Sequence, residues 1–328
     1  MFNSRKMNIE SFDIHYNVPM KQYSAQCIDI PLKKNWSDSW CALPETFDHC
    51  LDKILQFEVR PRDVFVVTFM KCGTTWMQEA AWLLLNDLNF EKSKEKRILE
   101  RSPFLDFIGL LPPGSGLELD PLKLTEQLHD PRLIKSHMPA NLLPSQIWQK
   151  KQKTIYVARN VKDVIVSSFH FAQHGMWKGD SILDYVNNFI NDEIHWTPFW
   201  THIIDFWKMR NESFIFFVTY EEMIKDLPGV VRRLCQFLNK STLTDDQLNR
   251  LVAHLSFGKM KDNRQANLTE MMKETFPDVP ENFQFMRRGI VGSYRDELTP
   301  EVQAKIDSWT ASILSKHGLT EKDIFGEL

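Results

Sequence analysis

The sequence predicts an α/β protein, a single domain over residues 1–328 with a central parallel β-sheet flanked by helices. Three observations support this prediction. Short apolar runs rich in β-branched residues, typical of buried parallel strands, recur along the chain. Segments with apolar residues at helical spacing follow them. With 328 residues, 43% of them hydrophobic, the chain can bury one large core or two modest ones, and no internal repeat divides it.

Residues 1–60 are predicted to form an irregular segment packed on this domain, because they are rich in Trp and Pro. One helix is predicted within this segment, at residues 44–56. The first strand of the sheet begins at Val64 and ends before Lys71, and a helix begins at Thr74.

The turn between this strand and this helix carries the residues of an anion site. Gly73 allows a tight turn, and Thr74 and Thr75 supply hydroxyls and free amides at the helix start. These amides, the helix dipole and the ammonium group of Lys71 would together attract an anion. The nucleotide-triphosphate loop has a different order, with its lysine last, directly before Ser or Thr. The alternative is a strand–helix turn that merely contains a lysine.

A charged run at residues 91–101 and a Pro/Gly segment at 111–116 are predicted to leave the core as a surface excursion. This excursion separates the first strand–helix unit from the next. It is either a solvated loop or a mobile flap over a substrate pocket.

Three further strands are predicted, at residues 132–137, 153–159 and 214–220. The second is followed by a helix that begins near Asn160, and the third by a helix that ends at Leu238. In parallel sheets, ligands bind at the carboxyl ends of the strands. The residues that fall at these ends are Lys71, His137, Arg159 and Tyr220.

His137 is a candidate general base, since it directly follows a strand and precedes a turn at Pro139. A neutral imidazole can take a proton from a hydroxyl group at physiological pH. Lys135 adds a cation beside it. The alternative is an ordinary core or surface histidine, because the chain has ten.

Arg159 is a candidate phosphate ligand at the start of a helix, and Ser167 follows about two turns later. The forked guanidinium group suits phosphate oxygens better than the point charge of lysine. The alternative is a surface salt bridge between Arg159 and Asp163, with Ser167 as an inert helical residue.

A second cationic element lies near the end of the chain, where Arg287 and Arg288 precede Gly289. Paired arginines can wrap a doubly charged phosphate, and glycine lets backbone amides approach it. The alternative is a solvated basic pair.

Composition excludes several classes of protein. A net charge of −3 argues against a general nucleic-acid binder. The five cysteines lack metal-ligand spacing, so neither a disulfide framework nor a zinc site is expected. Cys72 is either a small residue in the turn or a thiol activated by Lys71. Because no run resembles a signal peptide or a membrane span, we expect a cytoplasmic protein with no membrane partner.

Taken in order, the motifs resemble those of the cytosolic sulfotransferases. The turn Lys-x-Gly-Thr-Thr-Trp is similar to the phosphosulfate loop of that family, with Cys72 where Ser is usual. The segment Lys135-Ser-His-x-Pro is similar to its second motif. The segment Arg159-Asn-x-Lys-Asp-x-x-x-Ser is similar to its 3′-phosphate-binding element. The segment Arg-Arg-Gly-x-x-Gly is similar to its last motif, with Arg288 where Lys is usual.

This resemblance, which covers residues 64–294, implies an α/β fold with a P-loop-like phosphosulfate-binding loop. It also implies transfer of a sulfuryl group from 3′-phosphoadenosine 5′-phosphosulfate (PAPS), which leaves adenosine 3′,5′-bisphosphate (PAP), without a metal. By resemblance, His137 would be the general base on an acceptor hydroxyl or amine. Lys71 would stabilise the departing phosphate oxygen, and Lys135 would position the acceptor and sulfuryl oxygens.

The resemblance also implies the residues that hold the nucleotide. The 5′-phosphosulfate would be held by Lys71, Gly73, Thr74 and Thr75, and the 3′-phosphate by Arg159, Ser167, Arg287, Arg288 and Gly289. The adenine would contact Trp76, Tyr220 and Phe257. Other residues of these segments, included as cofactor-binding, are Cys72, Leu255, Ser256, Met260, Phe285 and Met286; Leu255 replaces a usual Thr.

The acceptor is implied to be a small hydrophobic molecule such as a phenol, a steroid or another alcohol. Phe171 aligns with an aromatic pocket residue of the family, beside Lys135 and His137. Phe104, Phe107 and the Trp residues in 177–207 are further candidates, because 23 Phe and 10 Trp could line an apolar pocket. The alternative places most of these aromatic residues in the core.

Competing functions remain open at this point. One is a retinol-dehydratase-type enzyme that acts through a transient sulfate ester, and another is a nucleotide kinase of related architecture. A catalytically silent binding protein is a third, which the presence of Lys71, His137, Arg159 and Ser167 together opposes. The short dimer motif of the family is degraded between Arg295 and Ala304, so a homodimer is predicted only weakly.

Overall fold

Seven strands and a larger number of helices were found in the computed structural model, which describes residues 1–7, 19–110, 120–174, 177, 179, 181–275 and 279–327. The strands are β1 (Phe2–Lys6), β2 (Met20–Ala25), β3 (Cys41–Pro44), β4 (Val64–Thr68), β5 (Leu133–Ser136), β6 (Thr154–Ala158) and β7 (Ile215–Thr219). The α-helices are α1 (Leu51–Leu55), α2 (Thr74–Leu85), α3 (Phe90–Ser93), α4 (Ile98–Arg101), α5 (Phe107–Leu110), α6 (Pro121–Gln127), α7 (Ser145–Gln149), α8 (Val161–Ala172), α9 (Ile182–Ile190), α10 (Phe199–Lys208), α11 (Tyr220–Lys225), α12 (Leu227–Phe237), α13 (Asp245–His254), α14 (Phe257–Asp262), α15 (Thr269–Thr275), α16 (Pro300–Leu314) and α17 (Glu321–Phe325).

Four of these strands form a parallel sheet in the order β5-β4-β6-β7, which confirms the predicted fold class. Alternate residues of each strand enter opposite layers of the core. Val66 and Ile155 pack in the layer formed with α2, α12 and α13, whereas Val67 and Tyr156 pack in the layer formed with α8, α9, α10 and α16. Both faces of the sheet are therefore covered, as its continuous apolar strands require.

The N-terminal segment is not irregular, and that prediction was wrong. It contains a three-stranded antiparallel sheet in the order β1-β2-β3. Tyr23 and Leu43 of this sheet are fully buried in the same apolar cluster as Phe65 of β4. The predicted helix at 44–56 is a 3-10 turn, Glu45–His49, followed by the short α1. These strands have only four to six residues, so the alternation of apolar and polar residues along each of them is too short to be recognised in the sequence.

The charged run at 91–101 enters the core at its end, contrary to the predicted surface excursion. Ile98 and Leu99 of α4 are buried. The buried Arg101 donates from Nη2 to Glu79 Oε2 of α2 at 2.7 Å, so its charge is matched by a partner 22 residues away. The Pro/Gly segment that follows lies outside the described residues.

A buried ion pair fixes the start of the sheet and yields a stability prediction. The Arg132 guanidinium donates from Nε to Asp63 Oδ1 at 2.7 Å and from Nη2 to Asp63 Oδ2 at 2.6 Å, and both side chains are buried. Arg132→Leu is expected to lower the free energy of unfolding by about 3–5 kcal/mol, because it leaves Asp63 buried and unpaired. Urea denaturation measures this loss. The double replacement with Asp63→Leu should recover part of it, and a loss below about 1 kcal/mol would contradict the role of this pair.

Candidate active site

A cavity of about 230 Å³ opens at the edge of the sheet where the four parallel strands end. All four predicted strand-end residues, Lys71, His137, Arg159 and Tyr220, line it. Other predicted site residues in its wall are Gly73, Thr74, Thr75, Trp76, Lys135, Ser167, Phe171, Leu255, Phe257, Met260, Phe285, Met286, Arg287, Arg288 and Gly289. The fold thus brings together segments more than 200 residues apart in one cavity.

The turn between β4 and α2 presents backbone amides to this cavity. Lys71 and Gly73 adopt positive φ angles of 63° and 95°, and a Cβ at Gly73 would lie 2.8 Å from Tyr220 Cδ2. Glycine is therefore required there by both conformation and space. No side chain of the described residues caps α2, so the amides of its first turn remain free for an anion.

Arg159 occupies the centre of the cationic half of the cavity. Its Nη1 donates to the carbonyl oxygen of Lys71 at 3.0 Å, and its Cζ lies 4.3 Å from the centre of the Tyr220 ring. Its Nε is buried and has no hydrogen-bond partner in the described part of the chain. An unsatisfied buried donor costs free energy, which an anion oxygen in the cavity would recover. Asp163 accepts from the backbone N–H groups of Gly292 and Tyr294, so Asp163 serves a role other than the alternative salt bridge with Arg159.

The C-terminal arginines complete this half of the cavity. Arg287 pairs with Glu297, and Arg288 Nη2 lies 2.5 Å from Asp296 Oδ2. Gly289 has a φ of 67° and packs against the Phe257 ring, in space that a Cβ could not share. These contacts hold both guanidinium groups at the cavity while leaving each about one-third exposed.

A pair of aromatic rings lies beside the cationic groups in the cavity wall. The rings of Trp76 and Tyr220 meet edge to face at 5.7 Å. The indole Nε1 of Trp76 is buried without a hydrogen-bond partner among the described residues. A planar ligand lying against these two rings would make aromatic contact with them.

The second half of the cavity contains His137 between two aromatic rings. The centre of its imidazole lies 4.9 Å from that of Phe104 and 5.0 Å from that of Trp196. Its Nδ1 lies 2.8 Å from the carbonyl oxygen of Thr68, which can only accept, so Nδ1 carries the proton. Burial, reinforced by Lys135, lowers the pKa of His137 well below its ordinary value. The imidazole is therefore neutral, with Nε2 as the free proton acceptor.

Two lysines flank this imidazole and are themselves perturbed. Burial lowers the pKa of Lys71 to about 7, with help from Arg159, and burial lowers the pKa of Lys135 to about 8. The Lys71 Nζ lies 3.9 Å from the centre of the Phe285 ring, and the Lys135 Nζ lies 4.0 Å from that of Phe104. An anion in the cavity would favour the charged form of both.

The wall around His137 is otherwise largely apolar. It includes the candidates Phe104, Phe107 and Phe171, whereas Trp177 lies in the core against Phe169 and Tyr185. The further apolar residues of this wall are Leu99, Leu110, Trp196, Leu268, Met271 and Met272.

Two of the predicted cofactor-binding residues do not line the cavity. Cys72 is fully buried beneath the turn, and burial raises the pKa of its thiol well above the ordinary value. This favours its role as a small residue rather than as a nucleophile. Ser256 is exposed and directly precedes α14, whose Phe257 and Met260 face the cavity instead.

Several site residues were missed by sequence reasoning. Leu99 was hidden in a charged run, and Asp106 carried no motif, whereas Trp196 is one of the Trp residues in 177–207 that the sequence offered as pocket candidates. The spacing of Leu268, Met271 and Met272 is that of one helix face, and this signal could have identified the wall formed by α15.

No group of metal-binding side chains occurs among the described residues. Over the same residues, no helix is long and apolar enough to span a bilayer.

Comparisons with known proteins agree with this architecture. The family described as "Sulfotransferase domain" matches residues 61–318. Luciferin sulfotransferase of Photinus pyralis is 34% identical over 282 residues, which are 80% of this chain and 75% of the relative. Sulfotransferase 1B1 of Canis lupus familiaris is 34% identical over 269 residues, 80% of this chain and 86% of the relative. Among solved structures, retinol dehydratase in complex with retinol and PAP superposes with a TM-score of 0.85 at 25% identity, covering 97% of this chain and 98% of that chain.

Proposed function

The chain belongs to the sulfotransferase family, and from that membership we propose that it transfers the sulfuryl group of PAPS to the hydroxyl group of a small hydrophobic acceptor, with His137 as general base. An amine is a second acceptor class. Membership in this family also opposes the nucleotide-kinase alternative.

One observation carries this proposal: a neutral imidazole, two perturbed lysines and an unsatisfied arginine share one cavity. Such a cavity has an end for a polyanion and an end for an acceptor, with the base between apolar rings. Perturbed pKa values from burial and specific charges are typical of catalytic groups.

The cationic half fits PAP, the nucleotide bound in the structures of retinol dehydratase. The amides of α2 and Lys71 would hold the 5′-phosphosulfate. Arg159, Ser167, Arg287, Arg288 and Gly289 would hold the 3′-phosphate, and Trp76, Tyr220 and Phe257 would contact the adenine.

The apolar half fits hydrophobic alcohols. Related retinol dehydratase structures contain retinol or androsterone, both of which are small apolar alcohols. The wall of Phe, Leu and Met side chains offers little hydrogen bonding to a sugar.

In the proposed reaction, the acceptor oxygen forms a bond to sulfur while the bond between sulfur and the phosphate oxygen breaks. His137 Nε2 takes the hydroxyl proton, and Lys71 neutralises the charge that develops on the departing phosphate oxygen. Lys135 orients the acceptor and sulfuryl oxygens. No step requires a metal ion.

A dehydratase reaction through a transient sulfate ester is the second candidate, and the TM-score of 0.85 to retinol dehydratase favours it. A donor-dependent screen of phenols, steroids, retinoids and amines, read by product mass, separates the candidates. A sulfate ester supports simple transfer, and a product that has lost water supports dehydration. The absence of both products with every acceptor, while PAP still protects the protein against heat, would contradict the proposal.

The two lysines predict a pH dependence. Lys71 and Lys135 are charged below pKa values of about 7 and about 8, and an anionic donor binds their charged forms. We therefore expect kcat/KM for PAPS to fall as pH rises through this range, since kcat/KM reports the free enzyme. No loss is expected from His137 near its ordinary pKa, because it is already neutral there. A value of kcat/KM that rises between pH 7 and 8 would contradict these assignments.

The cytoplasmic location, the single domain and the homodimer, whose usual motif is degraded, remain predictions of the sequence.

A further inference from the structure

A buried carboxylate that the proposed reaction does not use lies behind the base. Asp106 is fully buried. Its Oδ1 accepts from Ser136 Oγ at 2.6 Å, and its Oδ2 accepts both from the backbone N–H of His137 at 2.8 Å and from the indole Nε1 of Trp196 at 3.1 Å. One carboxylate oxygen therefore joins the base to an aromatic ring that flanks it.

The sheet delivers this carboxylate to its place. Lys135 donates its backbone N–H to the carbonyl oxygen of Pro103 at 2.9 Å, and Leu105 donates to the carbonyl oxygen of Lys135 at 3.0 Å. The segment before Asp106 is thus paired in parallel with β5, next to the strand end that carries His137. This pairing places Phe104 on one side of the imidazole and Asp106 behind its backbone.

Trp196 needs such a tie. Its φ is 65°, a rare conformation for a bulky residue, which persists only where the surroundings impose it. Its backbone N–H donates to the carbonyl oxygen of Ala42 at 2.8 Å, and Asp106 holds its indole. The ring is therefore fixed at both ends against His137.

The charge of Asp106 acts on a second catalytic candidate. Burial lowers the pKa of Lys135, whereas the charge of Asp106 raises it and so favours the ammonium form. Burial raises the pKa of Asp106 itself to about 6, which leaves it mainly ionised at neutral pH. The charge of Asp106 also acts on the thiols of Cys41 and Cys50, which burial keeps neutral. His137, whose backbone N–H it accepts from, is neutral as well.

We propose that Asp106 is a positioning residue for sulfuryl transfer: its carboxylate fixes the His137 backbone and the Trp196 ring in one arrangement, and its negative charge stabilises the ammonium group of Lys135. This inference rests on the proposed function. Asp106 contacts no reacting atom in this scheme and acts through the base, the ring and the lysine.

Asp106→Asn isolates the charge. The asparagine oxygen can still accept from His137 and Trp196, and its amide can donate to Ser136 Oγ. We expect kcat to fall about tenfold, because the charge-assisted hydrogen bonds to His137 and Trp196 become weaker neutral ones, with the affinity for PAP unchanged. The fall of kcat/KM for PAPS with rising pH should begin at a lower pH, because the Lys135 ammonium group loses the negative charge of Asp106 that stabilises it.

A second readout does not depend on turnover. Competitive acylation of Lys135, followed by peptide mass analysis across a pH series, reports its protonation directly. The labelling midpoint should move to lower pH in Asp106→Asn. This result can be obtained even if no acceptor is found, so it separates failure of this inference from failure of the proposed function.

Two further variants test the tie. Trp196→Phe keeps the charge of Asp106 but removes the indole donor. It should lower kcat more than it raises KM for the acceptor. The pH at which kcat/KM for PAPS falls should stay unchanged. Ser136→Ala is the matched control, because it removes a hydrogen bond to Oδ1 but leaves both contacts of Oδ2; its loss of kcat should be smaller.

An unmoved Lys135 midpoint in Asp106→Asn would overturn the assigned charge effect. A change in Trp196→Phe confined to acceptor KM would overturn the positioning role. If Asp106→Asn does not fold, the split between kcat and KM in Trp196→Phe decides the question.

Discussion

Replacing His137 with alanine is expected to lower kcat by about 1,000-fold, within the range that a positioned general base contributes. The imidazole is the proposed acceptor of the hydroxyl proton, and its Nδ1 proton is held by Thr68 so that Nε2 is free. Affinity for PAP should remain, because the cationic half of the cavity is formed by other segments. Steady-state rates and calorimetric titration with PAP measure the two effects separately.

The matched control for this prediction is His129→Ala, since His129 is an exposed histidine outside the cavity. It should keep wild-type rates. Retention of near-normal turnover by His137→Ala would exclude His137 as the base. Loss of PAP affinity in parallel with turnover would indicate that the replacement disturbs the donor half as well.

Replacing Arg159 with alanine is expected to weaken PAP binding by roughly 100- to 1,000-fold, which corresponds to about 3–4 kcal/mol for a buried charged hydrogen-bonding group. Arg159 contributes a guanidinium that is almost fully buried, with an Nε that has no hydrogen-bond partner in the described chain. Its Nη1 also braces the carbonyl oxygen of Lys71, so the phosphosulfate turn should lose support.

Calorimetric titration with PAP measures this loss, and two variants make it specific. Arg159→Lys should recover only part of the affinity, because lysine lacks the planar fork. Arg210→Ala removes an exposed arginine outside the cavity and should change nothing. Wild-type affinity in Arg159→Ala would refute its assignment to the 3′-phosphate.

The strand ends could be predicted from the sequence because their signals are local. An apolar run, a break and a helical period place Lys71, His137, Arg159 and Tyr220 without knowledge of tertiary contacts. Parallel pairing then requires these ends to share one edge of the sheet. The structure places all four in one cavity for this reason.

The support around the base could not be predicted in this way. The Asp106 carboxylate meets the Trp196 indole across 90 residues of sequence, and neither residue belongs to a motif. The same holds for Arg101, whose charge indicated a surface until Glu79 was seen to pair with it inside the protein. Polar residues enter a core only with partners, and distant partners leave no local pattern.

The residues of the acceptor wall could be predicted from the sequence only in part. Phe171 could be placed by resemblance, whereas Leu99 was assigned to an excursion because charged neighbours surround it. The antiparallel N-terminal sheet was missed for a related reason, since its short strands are stabilised by pairing and by burial of residues such as Tyr23.

A single-turnover experiment tests the central claim most directly: that one cavity holds the donor at its cationic end and the acceptor at His137. The enzyme is loaded with PAPS carrying radioactive sulfur, excess donor is removed, and a hydrophobic alcohol identified by the screen is added. We expect the label to pass to the alcohol, or to released sulfate together with a dehydrated product, in an amount equal to the bound donor. Label that remains on the nucleotide in the presence of bound alcohol would contradict it.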